Sequence, residues 1–134
     1  MIITPFQDLE AEATKIQAFT EITMSEEMAE AVDRGNELMV YIARTGKMLS
    51  DARYHLGESM RAEIVSIVKS FYDQRLSATV QNKLVSAVGK KEQHLFDICE
   101  QLNKTCKYQL EWCRTIVSKG KEEMRLANIG REFN

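Results

Sequence analysis

The sequence predicts an all-α protein, an elongated helical bundle around two long heptad helices that associate as a coiled-coil-like oligomer. Three observations predict it. Apolar or small residues recur alternately four and three apart from Met28 to Ile67. The same spacing returns from Leu95 to Met124. The only proline is Pro5, so no later residue lacks the amide that a helix needs. Such spacing forms one stripe only on a helix, and no stretch shows the period of two that a strand requires. At 134 residues the chain reads as a single domain, 1–134.

The first helix is expected over about 5–20. Thr4-Pro5-Phe6-Gln7 has a capping threonine, a first-turn proline and a glutamine three after the cap. Phe6, Leu9, Ala13, Ile16 and Phe19 make its apolar stripe. Thr23-Met24-Ser25-Glu26 reads as a second capping box that opens a helix over about 26–70. Its stripe is Met28, Val32, Gly35, Met39, Ile42, Gly46, Leu49, Ala52 or Arg53, Leu56, Met60, Glu63 or Ile64, and Ile67. At 1.5 Å per residue it would be about 65 Å long, more than the width of a compact domain this size. Glycines 35, 46 and 57 recur at intervals of eleven, and Gly57 marks the place for a kink. Residues 73–77 form a connector, and Ser77 caps a short helix over about 78–88. Gly89 reads as a terminator. The last helix runs over about 91–127 on Leu95, Cys99, Leu102, Cys106, Gln109 or Leu110, Cys113, Val117, Gly120 and Met124. Residues 128–134 are expected to fray unless they dock on a neighbour. One short helix and one acidic helix cannot cover two long stripes, so a homo-oligomer is expected.

Composition narrows the function classes. No run of 18 apolar residues occurs, so no membrane association is expected, and the acidic start lacks the pattern of a signal peptide. Cys99, Cys106 and Cys113 lie seven apart, about 10 Å on one stripe, too far to bridge within the helix. They read as small core residues of a cytoplasmic protein. His94 is off their stripe, so no metal set forms. Arg44-Thr45-Gly46-Lys47-Met48 lacks the first glycine and the final serine or threonine of a phosphate loop. His55 and His94 fit no nucleophile–base pattern. No enzyme activity and no cofactor are expected.

Charge is the stronger signal. The net is −2, but residues 1–34 carry eight acids against two bases, a net of −6, and the remainder is +4. Between 101 and 125 six bases face three acids. Arg44, Lys47, Arg53, Lys104, Lys107 and Arg114 would answer phosphates, and Tyr54, Tyr108 and Trp112 would stack unpaired bases. The competing reading makes Tyr108 and Trp112 aromatics at the edge of the core.

Two stretches add a family resemblance. Tyr41–Gly57 contains Ala52-Arg53 followed by Tyr54-His55 and Gly57, and Leu110–Gly120 contains Thr115-Ile116-Val117-Ser118-Lys119-Gly120. Together they resemble the T4-type phage recombination mediator family, the UvsY-like proteins. Members of that family have a basic Ala-Arg step with aromatics and a glycine, and an Ile-x-Ser-Arg-Gly turn in the final helix. The family's lysine two before the arginine is Asp51 here, and its double tyrosine is Tyr54-His55. The resemblance implies a non-enzymatic, ring-forming phage protein that binds single-stranded DNA through Arg53 and helps a recombinase load onto DNA coated with single-strand-binding protein. The alternative is a helical phage protein that sequesters a nucleotide signal or inhibits a host defence protein.

Overall fold

The structure, a computed structural model, describes residues 2–133. It is an elongated bundle of four helices: α1 (Phe6–Thr20), α2 (Met28–Gln74), α3 (Ala78–Ala87) and α4 (Lys90–Phe133). No strand occurs among the described residues, and none of these helices is long and apolar enough to cross a membrane.

α2 and α4 form a long antiparallel hairpin. Met28 lies against Gly120, Gly35 against Leu110 and Cys113, Ile42 and Thr45 against Asn103, and Met60 against Gly89. The 32 residues between Met28 and Met60 span about 48 Å. α3 turns the chain at one end, and α1 lies along one side of the hairpin. The opposite side is uncovered.

The core follows from this arrangement. Leu9, Ala13 and Ile16 of α1 meet Leu38, Met48 and Ala52 of α2 and Leu95, Cys99, Leu102, Cys106 and Cys113 of α4. The cysteines are free and buried, and burial pushes the Cys99 thiol up to about 11. Asn103 Nδ2 donates to Ile42 O (3.1 Å) and Thr45 Oγ1 (3.0 Å), so this polar layer of the hairpin is satisfied across it. Gly120 is fixed by proximity: a Cβ there would stand 3.1 Å from Met28 Cβ. Gly89 has φ +69°, which ends the turn before α4 without strain.

Several expectations need correction. Pro5, not Thr4, is the N-cap of α1, and no side chain caps it, because Thr4 is engaged with α2. α2 begins at Met28 without a side-chain cap, since Ser25 Oγ instead accepts from the Glu27 amide (3.0 Å). It remains helical through Gly57 to Gln74, which reduces the connector to 75–77. Ser77 does cap α3, accepting from the Val80 amide at 3.3 Å. α4 is helical to Phe133, so 128–133 continues the helix instead of fraying. The α2 stripe is also rotated. The buried positions are Ala31, Gly35, Leu38, Thr45, Met48, Asp51 and Ala52, whereas Val32 and Met39 are 44% and 57% exposed. The apolar arc of α2 is wider than one stripe, and α1 covers only one shoulder of it.

Candidate nucleic-acid interface

The first basic pair lies on the α1 side, where the N-terminal segment crosses α2. The Thr4 amide donates to Asp51 Oδ2 (3.1 Å), and His55 Nε2 donates to Thr4 O (2.6 Å). Lys47 Nζ is paired with Asp51 and also donates to Ile2 O (3.0 Å). Arg44 forms a two-pronged ion pair with Glu12 and reaches Thr4 Oγ1 at 3.3 Å. Asp51 is 1% exposed. Burial pushes its carboxyl up, but hydrogen bonds from Lys47 and the Thr4 amide outweigh that and hold it below the ordinary value. Arg44 and Lys47 therefore fasten residues 2–5 and α1 to α2. Tyr54 is exposed beside them, edge-on to His55.

A second polar clamp holds the other end of α1, and the sequence reading missed it. Arg34 Nη2 donates to Phe19 O (3.1 Å), Ile22 O (3.2 Å) and Gln109 Oε1 (2.9 Å), while its guanidinium lies over the Phe19 ring. Gln109 Nε2 donates to Thr20 O at 2.8 Å. The last carbonyls of α1 thus gain donors from both long helices. The available signal was Arg34 itself, the only base between residues 16 and 43.

The α4 residues divide by shoulder. Tyr108 and Trp112, 70% and 48% exposed, are one turn apart on the shoulder that α1 occupies further along the helix, near Ile98, Gln101 and Thr105. Lys107 and Arg114 are seven apart on the other shoulder. At about 100° per residue, Trp112 and Arg114 point some 200° apart. Lys104 is paired with Glu100 (3.0 Å) on the outer surface.

The uncovered face of the hairpin carries a line of four cations. Arg114 and Lys121 flank an open groove of about 420 Å³ between α2 and α4, whose apolar lining includes Val32, Gly35, Met39, Leu110 and Val117. Lys107 continues their seven-residue spacing along α4. Arg53 extends the line toward the α3 end, its guanidinium 5.4 Å from the Phe96 ring centroid. No carboxylate lies within salt-bridge distance of Arg53, Lys107, Arg114 or Lys121 among the described residues. From the level of Phe96 to Lys121 the line is about 38 Å long.

The expected site residues therefore occupy four places on the molecule, with Lys104 alone on the outer surface of α4. Arg44, Lys47 and Tyr54 are beside the N-terminal segment, Tyr108 and Trp112 are on the α1 shoulder of α4, and Arg53, Lys107 and Arg114 are on the open face. Lys121 joins that face although the sequence reading did not single it out. No group of three or more possible metal ligands occurs among the described residues. No family model, curated protein or solved structure matches the chain.

Proposed function

We propose that this chain is a non-enzymatic, self-associating protein that binds single-stranded DNA along the open face of the α2–α4 hairpin and assists recombination as a mediator. The supporting observation is the line of Arg53, Lys107, Arg114 and Lys121 beside an apolar groove, with no carboxylate among the described residues paired to any of the four. Unpaired cations answer phosphates, and an apolar floor receives bases that duplex DNA would keep stacked. A strand that crosses α4 reaches Tyr108 and Trp112 on its far shoulder. Arg44 and Lys47 take no part, because carboxylates already hold them. The mediator role, with a recombinase or single-strand-binding protein as partner and a cytoplasmic setting, rests on the resemblance in Tyr41–Gly57 and Leu110–Gly120.

Fluorescence anisotropy with a labelled oligonucleotide at two salt concentrations tests the proposal. Three or four neutralised phosphates give log K a slope of about −2 to −3 against log salt. The combined change Lys107→Glu, Arg114→Glu and Lys121→Glu should abolish binding, while Lys15→Glu on the outer surface of α1 should not. Absence of binding by the native chain at low salt sinks the idea. The groove beside Gly35 also favours a second reading, capture of a nucleotide signal or inhibition of a host defence protein. Thermal stabilisation by cyclic nucleotides, without any effect of oligonucleotides, would select it.

A further inference from the structure

The two ends of the bundle are unlike, and each lacks what the other has. Beyond Met60, α2 runs past the start of α4 and only α3 accompanies it. No residue from Arg53 to Val88 is buried. The tip formed by 61–88 exposes Val65, Val68, Tyr72, Val80 and Val85, with Tyr72 at 89%. An isolated helix of ten residues such as α3 is marginal without packing. This end is also basic: residues 61–88 hold four bases (Arg61, Lys69, Arg75, Lys83) against Glu63 and Asp73, a net of +2.

The opposite end, where Met28 meets Gly120, is acidic. Residues 21–33 hold Glu21, Glu26, Glu27, Glu30 and Asp33 and no base. All five are exposed, and none has an ion-pair partner among the described residues. The end of α4 beside them, 119–133, has four bases against three acids, which leaves this end at −4. Ile22, Leu126 and Ile129 add exposed apolar surface there.

We propose that copies of this chain associate head to tail, with the basic apolar tip (61–88) of one seated on the acidic end (21–33 and 119–133) of the next. Charge complementarity selects this arrangement. Tip against tip would oppose +2 with +2, and acidic end against acidic end −4 with −4. Opposite ends bring unlike charge together and cover apolar surface on both. The contact is heterologous, so an open assembly always keeps one free tip and one free acidic end, and growth continues until the geometry closes it. This inference specifies the self-association in the proposed function and stands independently of DNA binding, because its readout is mass.

The test is light scattering or sedimentation of the full chain. The native protein should exceed the mass of a dimer as concentration rises, and added salt should weaken the association. Val68→Glu with Tyr72→Glu disables the tip, and Glu26→Lys with Glu27→Lys disables the acidic end. All four positions lie outside the core, and circular dichroism should show unchanged helix content. Each variant alone should be monomeric. Mixed in equal amounts they should give a two-chain species and nothing larger, because each supplies the surface that the other lacks. As a second measurement, Lys69→Glu with Lys83→Glu should weaken association about tenfold. Combining them with Glu26→Lys, Glu27→Lys and Glu30→Lys in one chain should restore it, because the tip then carries −2 and the opposite end +2. A native monomer at all concentrations overturns the proposal. So does a Glu26→Lys, Glu27→Lys variant that associates as the native chain does while the tip variant is monomeric, which is the signature of tip-to-tip pairing.

Discussion

Asp51 is the residue on which the α1 side depends. It is a buried carboxylate four residues from Lys47, and it holds the amide of a residue 47 positions away. Breaking such a pair leaves charge without compensation, so Asp51→Asn should destabilise the fold by about 1–3 kcal/mol at neutral pH. The pH dependence has a definite sign. The folded carboxyl lies below its ordinary value. Its contribution is therefore complete above the unfolded value of about 3.9 and fades as pH falls through the folded one. Chemical denaturation should show a difference between native and Asp51→Asn proteins that is largest near pH 7 and shrinks in acid. A pH-independent difference would contradict the assignment. The same residues supply what the sequence reading of Arg44 and Lys47 lacked, their ion-pair partners. Their three-residue spacing is a property of α2 alone. The groups that occupy them, Glu12, Asp51 and the Ile2 carbonyl, come mostly from the far end of the chain. Periodicity along α2 carries no information about Glu12 or the Ile2 carbonyl, whereas Asp51, four residues after Lys47, was within its reach. Arg53, Lys107 and Arg114 read no differently in the sequence, and only the fold shows that no carboxylate reaches them among the described residues.

At the level of elements, heptad spacing revealed the two long helices, and the apolar stripe from Phe6 and the Ser77 cap revealed the two short ones, because period and caps are local. It could not fix which shoulder of α2 faces inward. Val32, Met39 and Gly46 fit the heptad as well as Ala31, Leu38 and Thr45, and the position of α1 decides between them. The glycines test this. Gly46 and Gly57 have nothing within 4 Å of an added Cβ, whereas Gly120 would press on Met28. Gly46→Ala and Gly57→Ala should each stabilise α2 by about 0.5–1 kcal/mol, because alanine loses less chain entropy in a helix interior. Gly120→Ala should destabilise, because helix propensity cannot offset a 3.1 Å approach to Met28 Cβ. Thermal melts of the three variants should move in those opposite directions. A lower melting temperature for Gly46→Ala would show that another backbone approaches there.

The whole molecule is a rod whose core lies in its middle. Buried side chains run from Ala31 to Ala52 on α2 and from Leu95 to Ile116 on α4, with α1 over part of that length. Residues 61–88 and 121–133 extend beyond the core at either end and have no buried residue among those described. Local opening is easiest where apolar burial is least, so stability should be graded along the rod. Amide exchange in dilute solution should be slowest around 38–52 and 99–113 and fastest in 61–88 and 121–133, although all four stretches are almost wholly helical. Raising the protein concentration should slow exchange at the two ends and leave the middle unchanged, because head-to-tail contact covers the ends alone. Uniform protection in dilute solution would mean that the long helices carry their stability locally, and the ends would then have no need of a partner.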